Sequence, residues 1–233
     1  MFAVLVPSGC GRLDFSSYSD GRPSSSDSDE ASIPMFVQHA ANVAGAKNAS
    51  FAMPVARDAL ILVAVDLDED SEGDGLTTVN DDVGDTFEIV GPFDGMYAGG
   101  VGREYLAYSI ALGGATTIQL QLSAVRSFLE IRLHEYANIS PDHPFEGAAG
   151  GRGSVAQGSV ETDPVVTSER NELVFGVVID GVVQAGEGFT TRGTDFEDVS
   201  EDLIAVNPGE YRASATVQGE WFGAVAAFRT NSP

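Results

Sequence analysis

Cysteine is all but missing from this chain of 233 residues, which has only Cys10. A disulfide framework is thereby excluded, and so is a zinc site of the Cys-x-x-Cys kind. Basic residues are scarce too: 12 Lys and Arg stand against 35 Asp and Glu, giving a formal net charge of −23 and a pI near 4.1. Such a field repels a phosphate backbone and an anionic membrane surface, so nucleic acid is set aside as a partner. Solubility and cation binding remain as roles for the acidity. The apolar run MFAVLV at the start falls far short of a membrane span. Any hold on a membrane then passes through a lipid anchor. Nor does any stretch show the apolar spacing of an amphipathic helix of about ten residues or more.

What the chain does have is alternation. In TTIQLQLS (116–123), Ile118, Leu120 and Leu122 alternate with Gln119 and Gln121, which predicts a strand with one buried face. EYRASATVQ (210–218) repeats the pattern. In FLEIRLHEY (128–136) it places Leu129, Ile131 and Leu133 inward and Glu130, Arg132 and His134 outward. ALILVAVDL (59–67) and ELVFGVVID (172–180) are nearly continuous apolar runs, suited to central strands covered on both sides. EWFGAVAAFR (220–229) sets Phe222, Ala224, Ala226 and Phe228 on one face as a closing core strand. The 27 glycines and 10 prolines punctuate these runs in segments such as NDDVGD, LGGA and NPG, each a turn signal. The expected fold is all-β: two antiparallel sheets packed face to face as a jelly-roll-like β-sandwich, one domain over residues 34–230.

Before that domain, MFAVLV leads through Pro7, Ser8 and Gly9 to Cys10, an outline similar to the lipobox of exported lipoproteins. In that family the cysteine becomes the lipid-carrying first residue, so the resemblance implies lipid attachment at Cys10 and an export segment over residues 1–10. Residues 11–33, with SSYSDGRPSSSDSDEAS, are expected to form a flexible Ser/Asp/Gly-rich tether, which after CGRLDF resembles the start of mature lipoproteins of myxobacteria-like Gram-negative bacteria. The alternative is an unmodified tail with an incidental cysteine.

The body of the chain carries a second resemblance. DDVGDTFEIVG, REYLAYSIALGGATTIQLQLS, LEIRLHEYANISPDHPFEG, GSVETDPVVTSERNELVFG, AGEGFTTRG and GEYRASATVQGEWFGAVAAFR follow one another in that order. Together they resemble an uncharacterised module of about 200 residues, often repeated in large secreted and surface proteins of environmental bacteria. The resemblance implies an exported protein, outer-membrane-anchored or extracellular, and supplies no functional residues.

A search for chemistry finds one loop. DLDEDSEGDG (66–75) offers several hard oxygen donors, and Asp68, Asp70, Glu72 and Asp74 are the candidate Ca²⁺ ligands. Counted as an EF-hand from Asp68, the loop puts Gly73 at the sixth position but Val79 where a bidentate Glu belongs, so the strict motif is excluded. The alternative is a solvated hairpin tip. His39, His134 and His143 are scattered and read as surface or rim residues. There is no G-x-S-x-G elbow, P-loop or dinucleotide fingerprint. Sugar rings stack on flat side chains, so Trp221, Tyr97, Tyr105 and Tyr136 are the candidate ligand contacts; Trp221 faces outward if Phe222 is core.

The expected function is a non-catalytic extracellular or cell-surface binding module for a glycan or a protein adhesion partner, with no cofactor unless Ca²⁺. The alternatives are a self-assembling structural subunit of an extracellular filament and a glycan-active hydrolase on the same fold. The second needs only a pair among the many carboxylates.

Overall fold

The computed structural model describes residues 32–42, 44–69, 75–97, 100–124 and 128–231. Cys10, the segment before it and the tether up to residue 31 lie outside these residues, as do Asp70, Glu72 and Asp74. Among the described residues there is no helix, and sixteen strands carry the fold. The first eight are β1 (Met35–Asn42), β2 (Asn48–Ser50), β3 (Leu60–Glu69), β4 (Leu76–Asp81), β5 (Glu88–Tyr97), β6 (Gly100–Ile110), β7 (Thr117–Leu122) and β8 (Leu129–Ala137). The second eight are β9 (Phe145–Glu161), β10 (Val165–Thr167), β11 (Glu172–Ile179), β12 (Val182–Ala185), β13 (Thr190–Asp195), β14 (Asp198–Ala205), β15 (Gly209–Tyr211) and β16 (Ser214–Phe228). All their pairings are antiparallel.

The two sets of eight share one plan. In the first half β1-β8-β3-β6-β5 form an inner sheet and β2-β7-β4 a smaller outer one. In the second half β9-β16-β11-β14-β13 repeat the inner order eight strands on. The outer layer repeats as well: the end of β9 pairs with the start of β16, which pairs in turn with β12. A ribbon of β10 and β15 extends it. Where the first half breaks its chain into β7 and β8, the second runs on as β16. This strand passes from outer to inner layer at a register shift beside Gly219, whose φ of +113° is one that glycine takes without a Cβ clash.

This stacking buries both faces of each inner sheet. Ile61, Val63, Val65 and Leu67 of β3 meet Ile118 and Leu120 of β7 in the first outer core, as the β7 alternation predicts. Leu60, Leu62, Leu106, Tyr108 and Tyr136 meet Phe175, Val177, Phe222 and Phe228 in a core between the two inner sheets. Val174, Val178, Val225 and Ala227 lie beneath Val160, Val165, Ala215 and Val217 in the third. Each such apolar side chain taken from water contributes about 1.5–3 kcal/mol, which is why β3 and β11 read as continuous apolar runs. The antiparallel all-β sandwich stands, with its layers doubled relative to the two sheets expected. One strand departs from the reading: Glu130, Arg132 and His134 of β8, expected to point to solvent, are wholly buried, because the second half covers their face.

The halves touch again where β5 crosses β16. A Cβ at Gly95 would lie 2.0 Å from Cγ of Phe222, and both atoms belong to packed elements that cannot swing away. Replacing Gly95 with Ala is expected to cost about 1–3 kcal/mol, seen as a lower urea midpoint with an unchanged m-value.

Near the opposite end of β11, Glu172 lies beside Glu146 of β9. Burial, then the hydrogen bond to Glu146, pushes the Glu172 carboxyl up to about 8. Burial opposes ionisation of Glu146 as well, but hydrogen bonds from Glu172 and Ser168 and the charge of Arg229 hold it below its usual range. The folded protein therefore keeps on Glu172 a proton that the unfolded chain gives up near pH 4.3. The stability this contributes is complete below that pH and is lost as pH rises towards 8. Thermal melts between pH 5 and 9 are expected to show Tm falling with pH, and Glu172→Gln, neutral throughout, to flatten that slope.

Candidate functional site

Along the inner face of β3 the apolar residues Leu60, Leu62 and Ala64 give way to Asp66. Register then builds a row: Asp66 stands opposite Glu104 on β6 and opposite Glu130 on β8. Neighbouring strands lie about 4.8 Å apart, so three carboxylates are lined up side by side on a buried face. The second half supplies a fourth, Asp198, at the start of β14. Arg132, two residues beyond Glu130 on β8, donates from Nη2 to both Glu130 Oε2 and Asp198 Oδ2, and the Asp180 N–H donates to Asp198 Oδ1 at 2.7 Å.

The shared plan of the halves makes this asymmetry legible. Leu60 pairs with Ile110 and Tyr136, and Leu173 pairs with Ile204 and Phe228. Counting along each strand from these equivalent positions sets Asp66 against Ile179, Glu130 against Phe222 and Glu104 against Asp198. The second half keeps apolar side chains at two positions where the first half carries acids.

The electrostatics follow from enclosure. Burial, followed by the charge of Asp198, raises the Asp66 carboxyl well above its usual range. Burial, followed by Asp66, does the same to Glu104. Glu130 is pushed up to about 8 by burial, against the pull of Arg132 and with the push of Asp198, and Asp198 is itself raised by burial. Each of the four carboxyls is thus shifted towards its protonated form by burial.

A pocket of about 180 Å³ leads from the surface to the cluster, lined by Asp66, Asp198, Asp180, Ile179, Phe128 and Phe196. Its two phenyl rings are exposed, Phe196 at 62%. Phe196 and Glu197 form the two-residue turn between β13 and β14, where Asp195 pairs with Asp198, and both have positive φ, 53° and 66°. Hairpins of this type favour Asn-Gly, because a bulky residue in the left-handed region is strained. This turn thus holds an exposed phenylalanine over a buried acidic floor.

Of the residues expected from sequence, Asp68 lies nearest this pocket. It is buried instead of sitting in an open loop, and its Oδ1 accepts from the Phe128 N–H at 3.0 Å, so it positions the rim. Its three proposed companions and Cys10 fall outside the described residues. Three of the four aromatic candidates are corrected. Tyr105 is buried in the first outer core. Tyr136 packs in the middle core, edge-on to Phe36 with centroids 5.7 Å apart. Trp221 does lie opposite Phe222, but β9 and the second outer core cover that face, leaving it 6% exposed. For Tyr97 the backbone ends β5.

The histidines divide. His143 occupies an exposed turn with φ +54°, as a surface residue should. His39 is partly buried. His134, read as a rim residue, is wholly buried: its Nε2 lies 2.9 Å from Ser200 Oγ, and burial, then the nearby His39, depresses its pKa well below the usual value. Ser200 has no exposed surface, so this Ser–His pair is packing and not a nucleophile.

Sequence reasoning missed Asp66, Glu104, Glu130, Arg132 and Asp198. The available signal was Asp66 itself: an acid inside a run already read as covered on both sides has to find partners in the adjoining strands.

Arg132 is the one guanidinium among four carboxylates. Arg132→Met is expected to cost about 3–5 kcal/mol, since it strands buried acids, while Glu130→Gln costs much less. Equilibrium urea unfolding of the two variants checks the order. For family and identity there is no guide beyond this geometry: no family model matches the chain, and neither the curated proteins nor the solved structures contain a significant match to it.

Proposed function

We propose that this chain is a non-catalytic binding module of the cell surface or extracellular space, and that it takes a positively charged ligand group into the pocket between its two halves. The observation that carries this reading is the pairing of a buried acidic floor, Asp66 and Asp198, with two exposed phenyl rings at the mouth. Carboxylates attract a cation, and aromatic faces stabilise one that has shed part of its water by about 0.5–2 kcal/mol. The net charge of −23 draws such a partner in from a distance. A basic side chain of a protein partner fits this chemistry better than a neutral sugar face, because Trp221, Tyr105 and Tyr136 are buried and cannot stack.

The sealed Ser200 and the close packing of the carboxylates support the non-catalytic part. One oxygen each from Asp66, Glu130 and Asp198 lies within 4.8 Å of the others, a spacing suited to sharing one cation. The order β1-β8-β3-β6 facing β2-β7-β4 supports the jelly-roll reading of each half. Export and anchoring through Cys10 belong to the same proposal, and mass spectrometry of the mature N-terminus tests them.

Calorimetric or NMR titration with n-butylammonium, with n-butanol as the uncharged control, is expected to show binding of the amine alone. Phe196→Ala should weaken that binding about 3- to 10-fold with Tm unchanged. Putting Asn-Gly in place of Phe196 and Glu197 should raise stability by about 1 kcal/mol or more while weakening the amine equally. An equal response to both probes would sink the reading.

A further inference from the structure

Resting on the reading of this pocket as a cation site, we infer that its floor is a divalent-cation site of the calcium class, with Asp66, Glu130 and Asp198 as protein ligands, for which Ca²⁺ and an amine compete. These three come from β3, β8 and β14, so the site exists only where the two halves are stacked. One oxygen from each lies within 4.8 Å of the others, the span reached by an ion bonded to all three at about 2.4 Å.

A second observation points to the missing cation. Glu104 is wholly buried, stands directly across from Asp66, and neither of its carboxylate oxygens has a hydrogen-bond partner. Glu130, equally buried, offers Oε2 to Arg132 and leaves Oε1 without a donor. Buried acceptors in folded proteins are almost always satisfied, and carboxylate oxygens left without a donor are what a bound cation takes up, while Nε and Nη1 of Arg132 beside them also lack partners. Charge gives the same answer. Four carboxylates and one guanidinium leave three formal negative charges unmatched, which a divalent ion and one retained proton would balance.

The donor chemistry narrows the ion. All three ligands are hard carboxylate oxygens, with no imidazole or thiolate among them, a set suited to Ca²⁺ and its neighbours and not to zinc or copper. Arg132 takes the outer position, clamping one oxygen each of Glu130 and Asp198 and fixing how the others point. The pocket mouth admits the waters that complete a shell of six to eight oxygens. The acidic loop at Asp70, Glu72 and Asp74 is a rival location on the same chain, and the experiment separates the two.

Chelator-treated full-length protein is titrated with Ca²⁺ by calorimetry. The expected result is one site per chain with a Kd on the order of 10⁻⁵–10⁻³ M. Asp66→Asn and Glu130→Gln should each weaken it at least about tenfold, whereas the triple variant Asp70→Asn, Glu72→Gln, Asp74→Asn should bind as the wild type does. Crystals soaked in Mn²⁺ should show an anomalous peak between the three carboxylates, which needs no variant to fold. Absence of both heat and peak, or loss of binding in the triple variant alone, overturns the inference. Failure here with amine binding intact leaves the pocket reading standing. Glu172→Gln, at the end of β11 away from the pocket, should leave Ca²⁺ affinity unchanged.

Discussion

A sheet buried on both faces has no surface on which to leave charge, so any ionisable residue placed in its middle strands has to be answered from inside the molecule. Two such sheets lie face to face here, and most of their shared layer is aliphatic and aromatic. At one end it is not. There Arg132 meets Glu130 from its own sheet and Asp198 from the other, so the ion pairs that neutralise part of this end also join the two halves. Taking these charges from water is costly and their attraction only partly offsets it. A purely apolar junction would have been simpler to stabilise, which is why the polar end reads as a site and not as a fastening.

The repeated strand plan explains how such an end arises without disturbing the fold. Equivalent positions in the halves carry Asp66 and Ile179, or Glu130 and Phe222, on the same scaffold. Apolar pairs such as Leu60 and Leu173 stay interchangeable and keep the layers in contact. The change of chemistry runs inward along β8 through Arg132 to His134, and at Asp66 and Asp198 a pocket reaches it.

Much of the architecture could be read directly from the residues. The runs around Leu62 and Val177 announced two covered faces, and the Ile118–Gln119–Leu120 alternation announced one. The reading failed at β8 for a physical reason: Glu130, Arg132 and His134 alternate with leucine and isoleucine just as a solvent-facing row would. Period two records that the faces differ in polarity and is silent on whether the polar one meets water or another acid. Trp221 misled in the same way, since pointing away from one core says nothing about a second core beyond it. The doubling of the plan was hidden because β9 and β16 run through places where the first half stops and restarts its chain. The two halves therefore share no obvious spacing of turns.

That continuity in β16 bears on how the molecule comes apart. One strand of the second half belongs to the outer layer at Val217 and to the junction at Phe222, so neither layer can be shed without unzipping the other. In the first half the same two roles fall to separate strands, β7 ending at Leu122 and β8 starting at Leu129. Partial opening should thus begin by lifting β2, β7 and β4 away from β3, with the second half still closed, giving the molecule a hinged side and a rigid side under mechanical load.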